Sequence, residues 1–240
     1  VDESGTTDTI TVVLNAQPTS DVVIAISSSD TGEATVTSTL TFTSANWDTA
    51  QTVTVTGADD DLVDGTVAST ITVSVDDANS DDDFDGVADQ TVTASTTDDD
   101  VAGFTITETE GSTTVTEAGS TDTFDVVLNA QPDSNVVLTI SSSDTGESTV
   151  HGSTPSNNTI TFTSANWDTP QAFTVTGVDD DLVDGTVSST VTVSVVDAVS
   201  DNNFDGVADQ IVSVSTTDDD VAGFTIVELE GSTSVTEAGS

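Results

Sequence analysis

The sequence predicts an all-β protein: tandem immunoglobulin-like antiparallel β-sandwiches with no helices of note. Three observations predict it. Apolar residues recur at period 2, as in Phe124, Val126 and Leu128 or Val136, Leu138 and Ile140, in a chain rich in Thr and Ser, which is the pattern of a half-buried strand. No stretch carries a helical period. Short β-branched runs are punctuated by Asn, Asp, Gly and Pro at the spacing of a seven-stranded sandwich. Hydrophobic residues make up only 34% of the chain, enough for a thin two-sheet core and too few for a thick α/β one.

The chain repeats itself. Residues 1–18 (VDESGTTDTITVVLNAQP) match residues 115–132 (VTEAGSTDTFDVVLNAQP), an offset of 114 (115 − 1). Residues 42–48 (FTSANWD) match 162–168, an offset of 120 (162 − 42). The six-residue difference is an insertion near 151–158 (HGSTPSNN), which holds the single His. Residues 221–240 repeat 101–120. The expected organisation is therefore a first sandwich over 1–100 that lacks its opening strand, a second over 101–220, and the first strand of a further repeat over 221–240. The chain opens on Val1 without a signal peptide, so it reads as an internal stretch of a longer array.

In the second repeat, strand A is expected around Phe104, kinking at Gly111 and resuming near Val115. Strand B covers 123–128, C 135–142, D 159–163, E 172–176, F 188–195 and G 210–215. Trp47 and Trp167 sit in identical SANWD turns and read as lids on the core.

Charge narrows the function. There are 44 Asp+Glu, no Lys or Arg, and a formal net charge of -44. That excludes nucleic acid as a direct partner, because binding it requires cations to displace counterions, and it disfavours anionic membrane surfaces. No run is apolar enough for membrane insertion. Metal cations or basic partners remain. Cys is absent, so no disulfide braces the fold. With no Cys or Lys, and one His confined to an insertion that one repeat lacks, the sequence does not read as an enzyme.

Counting strand directions gathers the A–B, C–D and E–F connections and the end of strand G at one pole. In the second repeat this pole collects Glu117, Asp144, Glu147, Asp179, Asp180, Asp181, Asp184, Asp218, Asp219 and Asp220. In the first it collects Glu3, Asp30, Glu33, Asp59, Asp60, Asp61, Asp64, Asp98, Asp99 and Asp100. No cationic side chain can neutralise either set. Calcium takes six to eight hard oxygen ligands in flexible geometry, so Ca2+ is the expected cofactor. The competing reading is a solvated acidic surface.

These motifs resemble a known family. VTEAGS, then LTF or ITF before a turn, then TVTGADDDLVDG or TVTGVDDDLVDG, then a strand ending in TTDDD, is similar to Calx-beta domains. The resemblance covers each whole repeat. It implies a calcium-binding β-sandwich whose ligands are a Glu after strand A, an Asp pair after strand E with a following carboxylate, and the terminal Asp triplet. Matched by motif, these are Glu3, Asp59, Asp60, Asp64, Asp98, Asp99 and Asp100 in the first repeat. In the second they are Glu117, Asp179, Asp180, Asp184, Asp218, Asp219 and Asp220. The chain departs from the family in having Asp-Gly, not a run of Glu, after the Asp pair. Within the family it looks most like extender repeats of giant bacterial adhesins.

A second acidic motif lies in the F–G loop. Asp81, Asp83, Asp85 and Asp89, with Gly86, follow the spacing of an EF-hand-type loop. Its copy is Asp201, Asn203, Asp205 and Asp209. Neither has the bidentate Glu that would close such a loop, and a polar hairpin is an equal reading. Strand parity points the second repeat's F–G loop at the first repeat's Asp triplet, across a linker of only residues 98–101.

The expected function is a structural extender of a secreted, cell-surface or fibrous protein, stiffened by calcium at its junctions, with neighbouring copies of the repeat as partners. Two alternatives stand beside it. One is a filament subunit that donates strand 221–240 to a neighbour. The other is a ligand-binding or calcium-sensing module.

Overall fold

The computed structural model describes residues 1–152, 157–228 and 231. The tip of the insertion (153–156), and residues 229, 230 and 232–240 of the closing segment, lie outside the described residues. Period-2 burial organises the central strands. In β11 (Val136–Ser142), Val136, Leu138 and Ile140 are buried while the residues between them are not.

The second sandwich has two sheets. One has the order β12 (Ser148–His151), β14 (Gln171–Gly177), β10 (Thr121–Leu128), β8 (Phe104–Glu108). The other runs β13 (Thr159–Phe162), β11, β15 (Thr186–Val195), β16 (Gln210–Thr217), β9 (Thr113–Thr116). All pairings are antiparallel except β16 with β9, which is parallel. Strand A thus switches sheets at the turn Thr109–Gly111, where Gly111 has φ 81°. Phe104, Phe124, Phe162, Phe173 and Phe204 meet in one core, with Trp167 packed against its edge.

The first sandwich repeats this plan with fewer strands. One sheet is β3 (Ala34–Val36), β5 (Gln51–Gly57), β1 (Thr7–Val12); the other is β4 (Thr39–Phe42), β2 (Val22–Ser28), β6 (Thr66–Val75), β7 (Gln90–Thr97). Its core gathers around Val22, Ile24, Ile26, Phe42, Val53 and Ile71. Strand β1 forms the sheet edge where β10 has β8 beside it.

The sandwiches touch end to end. Leu62 forms an isolated parallel bridge with Gln131. The Gln131 N–H donates to the Asp61 carbonyl at 2.6 Å, and the Val63 N–H to the Gln131 carbonyl at 3.3 Å. The Asn203 amide donates to the Val63 carbonyl. Val63 and Ala102 pack against the second core.

The structure adds strands that periodicity missed. β12 and its counterpart β3 lie within the connection expected to run from C to D. Both are short and flanked by polar residues, so their alternation is lost in the surrounding sequence. Among the described residues, no helix is long and apolar enough to cross a membrane.

Candidate metal centre

Each acidic pole is built around a fully buried glutamate, with a second buried glutamate, Glu33 or Glu147, beside it. Glu3 is 0% exposed and Glu117 1% exposed. Both follow the short strand that joins the end of β7 or β16: Asp2 bridges Thr97, and β9 pairs with β16. The crossing is tight enough that a Cβ at Gly177 would run into the Thr116 carbonyl, and one at Gly57 into that of Asp2. This places the glutamates under the Asp triplets.

Carboxylate oxygens of Glu3, Asp98 and Asp100 lie within 4.8 Å of one another, as do those of Glu117, Asp218 and Asp220. A second group in the first sandwich combines Glu3, Glu33 and Asp64 within the same limit. Asp98 also shapes the neighbouring loop. Its Oδ2 accepts from the N–H groups of Asp64 (3.0 Å) and Gly65 (2.8 Å), and its Oδ1 from Asp100 N–H (2.6 Å). Asp218 likewise accepts from Gly185 and Asp220. Gly65 and Gly185, at φ 78° and 80°, supply the left-handed turn this wrapping needs.

The buried oxygens at these poles are largely unpartnered. Both carboxylate oxygens of Glu3 are buried without a hydrogen-bond partner, as is one each of Glu33, Asp64, Asp100, Glu117, Glu147 and Asp220. Burying an ionised carboxylate unpaired is among the costliest arrangements in a folded protein. Accordingly, burial pushes the Glu3 carboxyl up to about 7, reinforced by the negative charges of Asp98, Asp60 and Glu33. Burial also raises Glu33, Asp64, Asp100, Glu117, Glu147 and Asp220, again with like charges behind it. Asp218 moves the other way, held down by its backbone donors, Gly185 first. A set of convergent, hard, unpartnered oxygens fits a divalent cation such as calcium.

The structure brings together Glu3, Asp64, Asp98 and Asp100, and Glu117, Asp218 and Asp220. Asp60 and Asp180 lie close enough to raise their buried neighbours, while one oxygen of each accepts from Leu62 or Leu182 N–H. Asp59, Asp99, Asp179, Asp184 and Asp219 stand around these groups without joining one. Glu33 and Glu147 complete the poles, although the family motif assigns them no role. Strand parity does place them there, which is the signal that finds them.

The F–G loops are arranged differently. Asp81 is 4% exposed, and its Oδ2 accepts from Thr19 N–H (2.6 Å) and Ser20 N–H (2.8 Å) while Oδ1 accepts from Asp83 N–H (3.1 Å). These donors, Ser20 first, hold its carboxyl down at about 2. Asp201 accepts from Ser134 N–H (2.7 Å) and Asn203 N–H (3.0 Å) in the same way. The first carboxylate of each loop is thus a hydrogen-bonded clasp between turns. Asp83, Asp85, Asp89, Asp205 and Asp209 join no candidate metal group among the described residues. Asn203 does reach the junction, through its bond to Val63.

No family model matches this sequence, and no curated protein matches it. Among solved structures it is similar in shape to domains 4 and 5 of the S-layer protein SbsC, at 19% identity and TM-score 0.35, over 62% of this chain and 65% of that one. The apo-form Calx CBD1 domain matches at 18% identity and TM-score 0.34, over 49% of this chain and 98% of that one. The calcium-binding domain CBD12 of CALX1.1 matches at 14% identity and TM-score 0.33, over 78% and 73%.

Proposed function

We propose that this chain is a load-spanning spacer from an extracellular or cell-surface protein, in which calcium at the Glu3 and Glu117 poles fixes each sandwich to its successor. One observation carries the reading: buried, unpartnered carboxylate oxygens converge at the pole from which the next sandwich begins. In the first sandwich, Glu3, Asp64, Asp98 and Asp100 would hold the ion, with Glu33 beside them. In the second, Glu117, Asp218 and Asp220 would do so, with Glu147. The cation supplies the positive charge that no Lys or Arg provides.

The pole is continuous with the joint. Asp64 follows Val63, which docks on the second core, and the charge of Asp133 in the second sandwich reaches Asp64. An ion that holds Asp64 and Asp98 together therefore holds the docking loop against the linker. Extracellular calcium modules have dissociation constants on the order of 10⁻⁴–10⁻³ M, so the joint would stiffen outside cells and loosen under chelation.

Small-angle scattering and calorimetry in calcium and in EDTA test this. Calcium is expected to lengthen the particle and raise the melting temperature, the stabilisation reaching about 2.7 kcal/mol per site when the ion is a hundredfold above its dissociation constant. Identical curves in both buffers would sink the proposal.

A further inference from the structure

The opening and closing strands of the second sandwich run side by side in the same direction. β9 pairs parallel with β16, from Thr113 opposite Val214 to Thr116 opposite Thr217. The chain enters this sandwich from the linker, passes through β8 and the turn at Thr109–Gly111 into β9, and leaves after Thr217. Tension along the chain therefore draws β9 back toward the linker and β16 away from it. Parallel neighbours pulled in this way slide lengthwise past each other. Their evenly spaced hydrogen bonds are loaded together, whereas a hairpin pulled at its open end loses them one at a time.

The metal candidates stand just past the end of this ladder, on both strands. Glu117 directly follows β9, and Asp218 directly follows β16. Glu117 N–H donates to the Thr217 carbonyl at 3.1 Å, Thr217 Oγ1 to the Val115 carbonyl at 3.4 Å, and Asp219 N–H to Glu117 Oε2 at 3.4 Å. Glu117 is 1% exposed. Its Oε1 and Asp220 Oδ2 are buried without a partner. The first sandwich makes the same crossing, where Glu3 N–H donates to the Thr97 carbonyl at 3.2 Å.

We propose that calcium held by Glu117, Asp218 and Asp220 is a mechanical staple, which ties the opening strand of the sandwich to the closing one against the shear that stretching imposes. The inference rests on the metal reading of this pole and adds a function to it. With the ion in place, β9 cannot slide along β16 until Glu117 parts from Asp218 and Asp220, so the ion contacts and the ladder must give way together. Without it, the same carboxylates repel across the two strands and leave a ladder of four pairs to carry the load alone. Forced unfolding is governed by the unfolding rate and not by equilibrium stability, so the staple is read kinetically.

Single-molecule force spectroscopy on the 240-residue chain, held by its two ends, tests the proposal, with calcium binding followed by calorimetry. Calcium should slow unfolding of the second sandwich under load at least about tenfold, the order of one charge-assisted contact. Glu117→Gln and Asp220→Asn should each lose most of that gain, and the event they alter marks the second sandwich. The chain has no Cys, so Thr145→Cys with Asp168→Cys, both at exposed positions, defines a second pulling axis. That axis loads β12 and β13 and leaves β9 and β16 out of the force path, so calcium should slow unfolding along it far less. Equal slowing along both axes, or no slowing in a chain that binds calcium, would overturn the staple and leave the metal site standing. No calcium binding at all would overturn both.

Discussion

Glu3 shows what the acidic poles demand. Its ordinary value of 4.5 rises to about 7 in the folded chain. The folded state thus holds this proton more tightly than the unfolded state does. Folding carries no penalty from Glu3 below pH 4.5; the penalty grows between 4.5 and 7 and is complete above 7. The melting temperature in EDTA should therefore fall as pH rises through that window, and saturating calcium should flatten or reverse the slope. Asp81, held at about 2, gives stability that is lost only in strong acid, below its ordinary 3.8. Glu117→Gln makes the same point by substitution. It removes a buried charge, so it should raise the melting temperature in EDTA and diminish the calcium-induced rise, both read by calorimetry. A melting temperature that rises with calcium as much as the parent's would remove Glu117 from the site.

At the scale of elements, period-2 alternation made the strands legible from B to G, because each buries one face on a thin core. β12 was not legible: four residues with one partner strand leave no pattern to read. The poles were legible because antiparallel connections alternate ends, a rule that needs no side-chain detail and that found Glu33 and Glu147. In the F–G loops, ligand spacing and clasp spacing look alike in sequence; the backbone donors around Asp81 and Asp201 are visible only in the fold. Two substitutions test the packing. Gly177→Ala drives a methyl into the Thr116 carbonyl, so it should destabilise the second sandwich by about 1–3 kcal/mol in denaturant melts. Val63→Ala should loosen the junction, while the same change at Val183, half or more exposed, should stay within about 0.5 kcal/mol. Equal effects at the two valines would mean that Val63 does not anchor the joint.

Across the whole molecule, a net charge of -44 opposes compaction at every length scale. Two thin cores and one short linker resist it, and cations bound where the carboxylates converge would relieve the worst of it. The same ions would set the angle between sandwiches, because Asp64 and Asp98 belong to both the pole and the joint. The most direct measurement is calorimetric titration of calcium into the metal-stripped chain, beside a Glu3→Gln, Glu117→Gln double variant. The account predicts saturable binding by the parent at millimolar concentrations or below, and its loss or marked weakening in the variant. Binding of equal affinity and stoichiometry in both, or none in either, would contradict it.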